Sequence, residues 1–256
     1  MLYQAYFSPT GGTRKVAEIL AESWGCESRK LDLSDPEGEY LTCRMEPEDV
    51  CILAVPSFGG RVPAPAAERI RRMKGNGAAA VLVCVYGNRA YEDTLLELED
   101  AAREAGFFCA AAVAAVAEHS IIHRFAEGRP DRADEEELTA FAEKIREQLE
   151  TKDRSGMNPV SVPGNRPYRE YNGVPFKPQP GKHCVACGRC ASVCPVRAIR
   201  MERPYEADEN LCISCMRCVS VCPAHARDVN KVLLFAAEQK MKKACSGRKE
   251  NELFLD

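Results

Sequence analysis

Short apolar runs alternate with stretches of helical periodicity from residue 1 to about 150. Leu2 to Phe7, Ser28 to Leu33, Val50 to Val55, Ala78 to Val85 and Gly106 to Val116 read as strands. Four helices fall around them. Thr13 to Trp24 puts Val16, Ile19 and Leu20 on one side, and Pro63 to Lys74 opens at a proline and runs into Gly75-Asn76-Gly77. Ala90 to Ala105 clusters Leu95, Leu96 and Leu98, and Asp134 to Leu149 is charged and amphipathic. Strands that are apolar throughout, rather than alternating, belong in a sheet covered on both faces. Their alternation with helices predicts an α/β unit built on a five-stranded parallel sheet.

The pattern breaks at 151–181, where six prolines and four glycines occur with no periodicity. This stretch reads as a linker. Its tyrosines and Phe176 predict that part of it packs down. Residues 182–230 are too few to bury a sizeable core. Residues 231–256 predict a terminal amphipathic helix and tail, with Val232, Leu233, Leu234 and Phe235 docked on the rest of the chain. Ala117 to Pro130 predicts a loop or short helix able to cover a neighbouring unit or a pocket.

The cysteines supply what the small unit lacks. Cys184, Cys187, Cys190 and Cys194-Pro195 form one C-x2-C-x2-C-x3-C-P run, and Cys212, Cys215, Cys218 and Cys222-Pro223 form another. These runs take eight of the fourteen cysteines. The spacing is that of two [4Fe–4S] clusters, with the fourth cysteine of each run ligating the other cluster. Cys184, Cys187, Cys190 and Cys222 are thereby assigned to one cluster, and Cys212, Cys215, Cys218 and Cys194 to the second. Metal ligation then provides much of the folding energy. Structural zinc is usually held by two C-x2-C pairs and fits the three-plus-one repeat less well. The remaining cysteines lack ligand spacing, and Cys51, Cys84 and Cys109 lie in apolar strands.

Composition narrows the setting. A net charge of −3 makes no general case for nucleic acid. The most apolar run, Gly106 to Ala117, is too short to span a membrane. Many cysteines without a targeting segment predict a reducing, cytoplasmic location. Residues 181–230 carry seven Lys or Arg against five Asp or Glu. That balance does not suit an acidic, freely diffusing carrier and favours a partner within the same chain.

Three loops follow strand ends in the first unit. Ser8-Pro9-Thr10-Gly11-Gly12-Thr13 opens the first helix, where free N–H groups and hydroxyls suit one terminal phosphate. It lacks both the G-K-[ST] of a nucleotide loop and the G-x-G-x-x-G fingerprint. Pro56-Ser57-Phe58-Gly59-Gly60 and Tyr86-Gly87-Asn88-Arg89-Ala90-Tyr91 sit at carboxyl ends of central strands, where open sheets bind ligands. Their aromatic rings and backbone polar groups suit a flat ring system. His119 and His123, four apart, could face together at a pocket rim. Arg69, Arg71 and Arg72 read as a solvated helix face.

On these loops, residues 1–150 resemble flavodoxins, the FMN-binding doubly wound domains. Residues 182–223 resemble bacterial two-cluster ferredoxins, and the combination resembles the flavodoxin–ferredoxin fusion proteins of anaerobes. The resemblance implies a flavodoxin-like doubly wound sheet, a small α+β ferredoxin-like domain, noncovalent FMN and two [4Fe–4S] clusters. It implies that Ser8, Thr10, Gly11, Gly12 and Thr13 hold the phosphate, and that Pro56, Ser57, Phe58, Gly59, Gly60, Tyr86, Gly87, Asn88, Arg89 and Tyr91 meet the ring. The expected function is electron passage between clusters and FMN, with a ferredoxin or flavoenzyme as redox partner. The alternatives are a flavin-dependent reductase of a small organic substrate and an iron–sulfur carrier whose first domain is only a scaffold.

Overall fold

The computed structural model describes residues 1–152 and 156–256. Five strands form the parallel core: β1 (Leu2–Tyr6), β2 (Ser28–Asp32), β3 (Val50–Pro56), β4 (Ala79–Tyr86) and β5 (Phe108–Val116). They are connected through α1 (Gly12–Glu22), α2 (Ala64–Arg71) and α3 (Thr94–Glu104), and β5 is followed by α4 (Arg132–Thr151). The smaller unit holds β6 (Gln179–Pro180), α5 (Arg189–Ser192), α6 (Arg217–Ser220) and β7 (Arg227–Asp228). The chain ends with α7 (Lys231–Met241) and β8 (Glu252–Phe254).

The strand order is β2-β1-β3-β4-β5-β8. Its first five strands follow the 2-1-3-4-5 order of flavodoxin-like doubly wound sheets. One face packs Leu31, Leu53, Ile70, Leu95 and Leu98 beneath α2 and α3. The other packs Val16, Leu20, Ile52, Leu138 and Ile145 beneath α1 and α4. Both faces are therefore dry, as the unbroken apolar strands require. α4 starts in a capping box, in which Asp131 accepts from the Asp134 N–H at 3.1 Å and Asp134 accepts from the Asp131 N–H at 2.9 Å.

The sheet departs from the all-parallel five-stranded expectation. β8 adds a sixth strand, antiparallel to β5, with Val113 opposite Leu253. The pairing is extended by a side chain, because the Val116 N–H donates to Asn251 Oδ1 at 2.8 Å. Three residues with a glutamate among them carry no strand periodicity, so only the exposed edge of β5 makes this segment a strand.

The terminal helix also departs from expectation. Leu234, Ala237 and Met241 pack on Ile121, Ile122, Phe125 and Cys245. Val232 remains 78% exposed and Phe235 62%. Four consecutive apolar residues point around a helix, so one narrow contact cannot cover them all. Residues 117–130 form turns without a helix and receive α7. Among the described residues, no helix is long and apolar enough to cross a membrane.

The linker is pinned to the first unit. The Val160 N–H donates to Cys109 O at 2.9 Å, and Asp93 accepts from the backbone of Asn165 and Arg169 at 2.8 and 2.7 Å. Arg61 makes a two-pronged pair with Glu97 at 2.7 and 2.9 Å and lies 4.8 Å from the Tyr168 ring centre. Among the described residues 156–181, regular structure is confined to β6, which pairs antiparallel with β7.

Candidate functional site

The fold brings the eight motif cysteines into two sets. Cys184, Cys187, Cys190 and Cys222 line one small cavity, and Cys194, Cys212, Cys215 and Cys218 line another. Each set takes three thiols from one run and one from the other. Gly188 opens α5 at a φ of 75°, where an added Cβ would lie 2.9 Å from Met201 Cε. The donor chemistry fits iron–sulfur clusters. Ala198 N–H donates to Cys194 Sγ and Ala226 N–H to Cys222 Sγ, each at 3.3 Å. Burial acts to raise the Cys222 thiol, but the backbone N–H groups of Ala226, Arg227 and Ala224 outweigh it and hold the thiol below its usual value. Burial pushes the Cys215 and Cys218 thiols up to about 12. Among the described residues, no three His, Cys, Asp or Glu side chains close on a single metal ion. Around a cube, each thiolate binds a different iron, so the sulfurs need not converge on one point.

A cavity of about 530 Å³ lies at the carboxyl ends of the parallel strands. That is within the size range of small-molecule sites. Thr10, Gly12 and Thr13 line one part of it, where α1 begins. Gly11 adopts a φ of 99°, and Ser8 Oγ accepts from the Arg14 N–H at 2.9 Å. Ser8 takes the Arg14 N–H, and the Gly12 and Thr13 N–H groups before it, which have no acceptor within the helix, suit an anion. Pro56, Ser57, Phe58 and Gly59 line the cavity from the loop after β3. Phe58 and Arg61 exchange backbone hydrogen bonds at 2.9 and 3.2 Å across Gly59 and Gly60, both at positive φ. Tyr86, Gly87 and Arg89 line it from the loop after β4.

The other expected residues lie outside the lining. Ser8 caps α1, and Gly11 shapes the turn before it. Gly60 is buried, and an added Cβ there would lie 2.3 Å from Glu92 Oε2. Asn88 Nδ2 donates to Cys245 O at 2.7 Å and Gly247 O at 2.8 Å, while its Oδ1 accepts from the Lys249 N–H at 3.2 Å. Its side chain is therefore committed to the C-terminal segment. Tyr91 stacks edge-on against Tyr86 with ring centres 5.3 Å apart, and its hydroxyl donates to Glu252. The Tyr86 hydroxyl donates to Glu250 O at 3.2 Å.

Several lining residues come from segments in which the sequence marked no ligand site. The linker contributes Arg169, Tyr171, Val174 and Phe176, and α7 contributes Ala237, Lys240 and Met241. Tyr171 packs so tightly on Gly59 that an added Cβ would sit 2.3 Å from its ring. The linker's aromatic content was the one available clue. Ser214, inside the second cysteine run, also lines the cavity.

The two units are tied at this point. The Ser214 hydroxyl donates to Val174 O at 3.3 Å, and Lys177 Nζ donates to Cys212 O. Arg217 reaches Ser8 O at 3.4 Å and Asp32 at 3.2 Å. Arg69 is 7% exposed rather than solvated. It donates to Leu33 O at 2.6 Å and to Pro195 O, which satisfies its guanidinium inside the interface.

His119 and His123 do not face together. His123 is exposed and pairs with Glu118 at 2.6 Å. His119 lines the cavity against Gly87, where an added Cβ would lie 2.6 Å from its Cδ2. Its Nδ1 accepts from the N–H groups of Ile121 and Ile122, both at 3.1 Å. This leaves the proton of the neutral ring on Nε2. Burial, with a contribution from His123, lowers the imidazole to about 4. His119 is therefore a fixed neutral hydrogen-bond donor and a poor proton donor at neutral pH. Cys84, behind the loop, is raised by burial and is unreactive.

Residues 183–226 match the 4Fe-4S dicluster domain family. No curated protein matches the chain. Among solved structures, a flavodoxin of Streptococcus pneumonia TIGR4 is 18% identical over 58% of this chain and 99% of its own, with a TM-score of 0.41. The two-electron reduced flavodoxin of Megasphaera elsdenii is 18% identical over 56% of this chain and 99% of its own, with a TM-score of 0.36. Rubredoxin oxygen:oxidoreductase of Desulfovibrio gigas is 18% identical over 58% of this chain and 36% of its own, with a TM-score of 0.41. Strand order and the family match together describe a flavodoxin-like sheet joined to an iron–sulfur dicluster-type domain, and a general redox role.

Proposed function

We propose that this chain passes electrons between two [4Fe–4S] clusters, held by the two cysteine sets, and an FMN in the large cavity. It would couple one-electron carriers to a flavin-linked acceptor or donor. When bound, the clusters supply single-electron transfer and FMN supplies one- or two-electron exchange. The observation that carries this reading is Ser214, which belongs to the second cysteine run and lines the same cavity as Thr13, Phe58 and Gly87.

The chain's own residues support it. Thr10, Gly12 and Thr13 would hold a phosphate at the start of α1. Phe58 and Tyr86 offer ring surfaces, and Tyr171 and Phe176 add aromatic rings to the lining. Val174, Lys177 and Arg217 hold the Cys212–Cys218 loop against the first unit. The cavity's size also supports a second reading, a flavin-dependent reductase of a small molecule, because it lies within the range of small-molecule sites.

Anaerobic purification with iron and flavin quantification, followed by stepwise reduction, tests the main reading. About eight irons and one FMN per chain are expected. Iron without flavin would sink it. Cys184→Ser and Cys212→Ser should each slow flavin reduction by an external one-electron donor. Turnover of small acceptors, without a protein acceptor, would favour the reductase reading.

A further inference from the structure

The two cysteine runs are an internal repeat that differs in charge at one buried position. After the fourth cysteine, the first run continues Cys194-Pro195-Val196-Arg197-Ala198-Ile199, and the second Cys222-Pro223-Ala224-His225-Ala226-Arg227. The fold treats them alike. Ala198 and Ala226 make the same N–H to sulfur bond at the same 3.3 Å. Ile199 lines the cavity of the Cys194, Cys212, Cys215 and Cys218 set. Arg227 lines the cavity of the Cys184, Cys187, Cys190 and Cys222 set. A guanidinium stands where its counterpart is a hydrocarbon.

Arg227 is 3% exposed. It donates from Nη1 to Pro178 O at 3.1 Å and from Nη2 to Pro204 O, both uncharged acceptors. Its Nε is buried without a partner. No carboxylate pairs with it among the described residues, whereas Arg217 in the second run is paired with Asp32. An unpaired buried cation is strongly unfavourable unless an anion shares its site. A cluster with four thiolates is such an anion.

We propose that Arg227 sets the cluster of Cys184, Cys187, Cys190 and Cys222 at a higher reduction potential than the cluster of Cys194, Cys212, Cys215 and Cys218. The inference rests on the cluster reading above. One electron from an external donor adds one negative charge to the cluster and its thiolates, and the guanidinium favours that reduced form. Arg227 lines the first set's cavity and is absent from the lining of the second, so the second potential moves in the same direction, by less. Ser214 lines the large cavity, and no residue of 183–207 does. An electron therefore rests on the cluster farther from the cavity. Transfer toward the cavity runs uphill until the acceptor there draws it.

A dithionite titration followed by electron paramagnetic resonance tests this on the full chain with its clusters. Wild-type protein should show two one-electron steps separated by at least about tenfold in equilibrium constant, 59 mV. Arg227→Ile and Arg227→Gln should each lower the upper step by about tenfold and the lower step by less than about threefold. Arg227→Lys should keep the separation. Coincident wild-type steps, equal shifts of both steps, or no shift would overturn the proposal. It also falls if neither neutral variant retains iron while Arg227→Lys does, since Arg227 would then serve assembly alone. Wild-type protein that holds no clusters would remove the proposed function itself, a result that iron content distinguishes from the others.

Discussion

Arg217 donates to the Asp32 carboxylate at 3.2 Å, across the junction between the second cysteine run and the end of β2. The same side chain reaches Ser8 O, at the loop that opens α1. One guanidinium thus couples the position of the Cys215–Cys218 loop to the phosphate-side loop of the cavity. Arg217→Ala should cost about 1 kcal/mol of stability, as a partly exposed pair does. Its larger expected effect is a several-fold slower electron transfer between the two units, with iron and flavin content unchanged. Stopped-flow reduction checks this, and a wild-type rate would show that Arg217 does not set the junction.

His119 makes stability depend on pH in a defined window. Its folded value near 4 lies below the ordinary 6.5, so the unfolded chain takes up the proton first as pH falls. Stability is full above about 6.5 and declines toward 4, by up to about 1.4 kcal/mol per pH unit. His119→Phe should flatten urea-denaturation midpoints across that window. A slope equal to wild type would mean that His119 is protonated in the native protein.

The buried pair of Arg129 and Asp134 anchors the C-terminal segment. Arg129 donates to Asp134 and to Lys249 O, and Asn251 Nδ2 donates to Asp134 at 3.0 Å. Burial acts to raise the Asp134 carboxyl, but Arg129, the Asp131 N–H and Asn251 outweigh it and hold it below the usual carboxylate value. Its contribution is present above about pH 4 and is lost as pH falls further. Asp134→Ala should cost about 3–5 kcal/mol by stranding Arg129. Equilibrium unfolding measures the cost, and a loss below about 1 kcal/mol would refute it.

Gly59 is required by a neighbour and by its own backbone. Its φ is 62°, and an added Cβ would lie 2.3 Å from the Tyr171 ring. Gly59→Ala should displace Tyr171 and weaken flavin binding by about tenfold or more, equivalent to about 1.4 kcal/mol. Iron content should stay at the wild-type level, because no cysteine of either set lines this cavity. Flavin fluorescence titration and an iron assay separate the two effects.

Iron removal should divide the chain by stability. Residues 182–230 own little apolar core, whereas both sheet faces of the first unit are filled without cysteine ligation. After chelation, limited proteolysis should cut within 182–230 and spare residues 1–150. Resistance of both regions would show that the small unit holds its fold without metal.

Local pattern determined much of this protein by itself. Apolar strands such as Ala79–Tyr86 are written in consecutive residues, because a strand buried on both faces has no polar positions to hide. The cysteine runs stand out for a similar reason: their spacing is short-range geometry, repeated twice. Tertiary structure decided what depends on distant partners. Glu252–Phe254 is a strand only because β5 offers an edge, and Arg69 is buried only because Pro195 O arrives to meet it. Asn88, in a loop that suited a ligand, turned instead to the tail at Cys245 and Gly247. The cavity lining joins Tyr171, Ser214 and Met241, residues far apart in the chain whose side chains carry no common period. Periodicity records which face of an element is dry, and only the folded chain records which distant segment covers it.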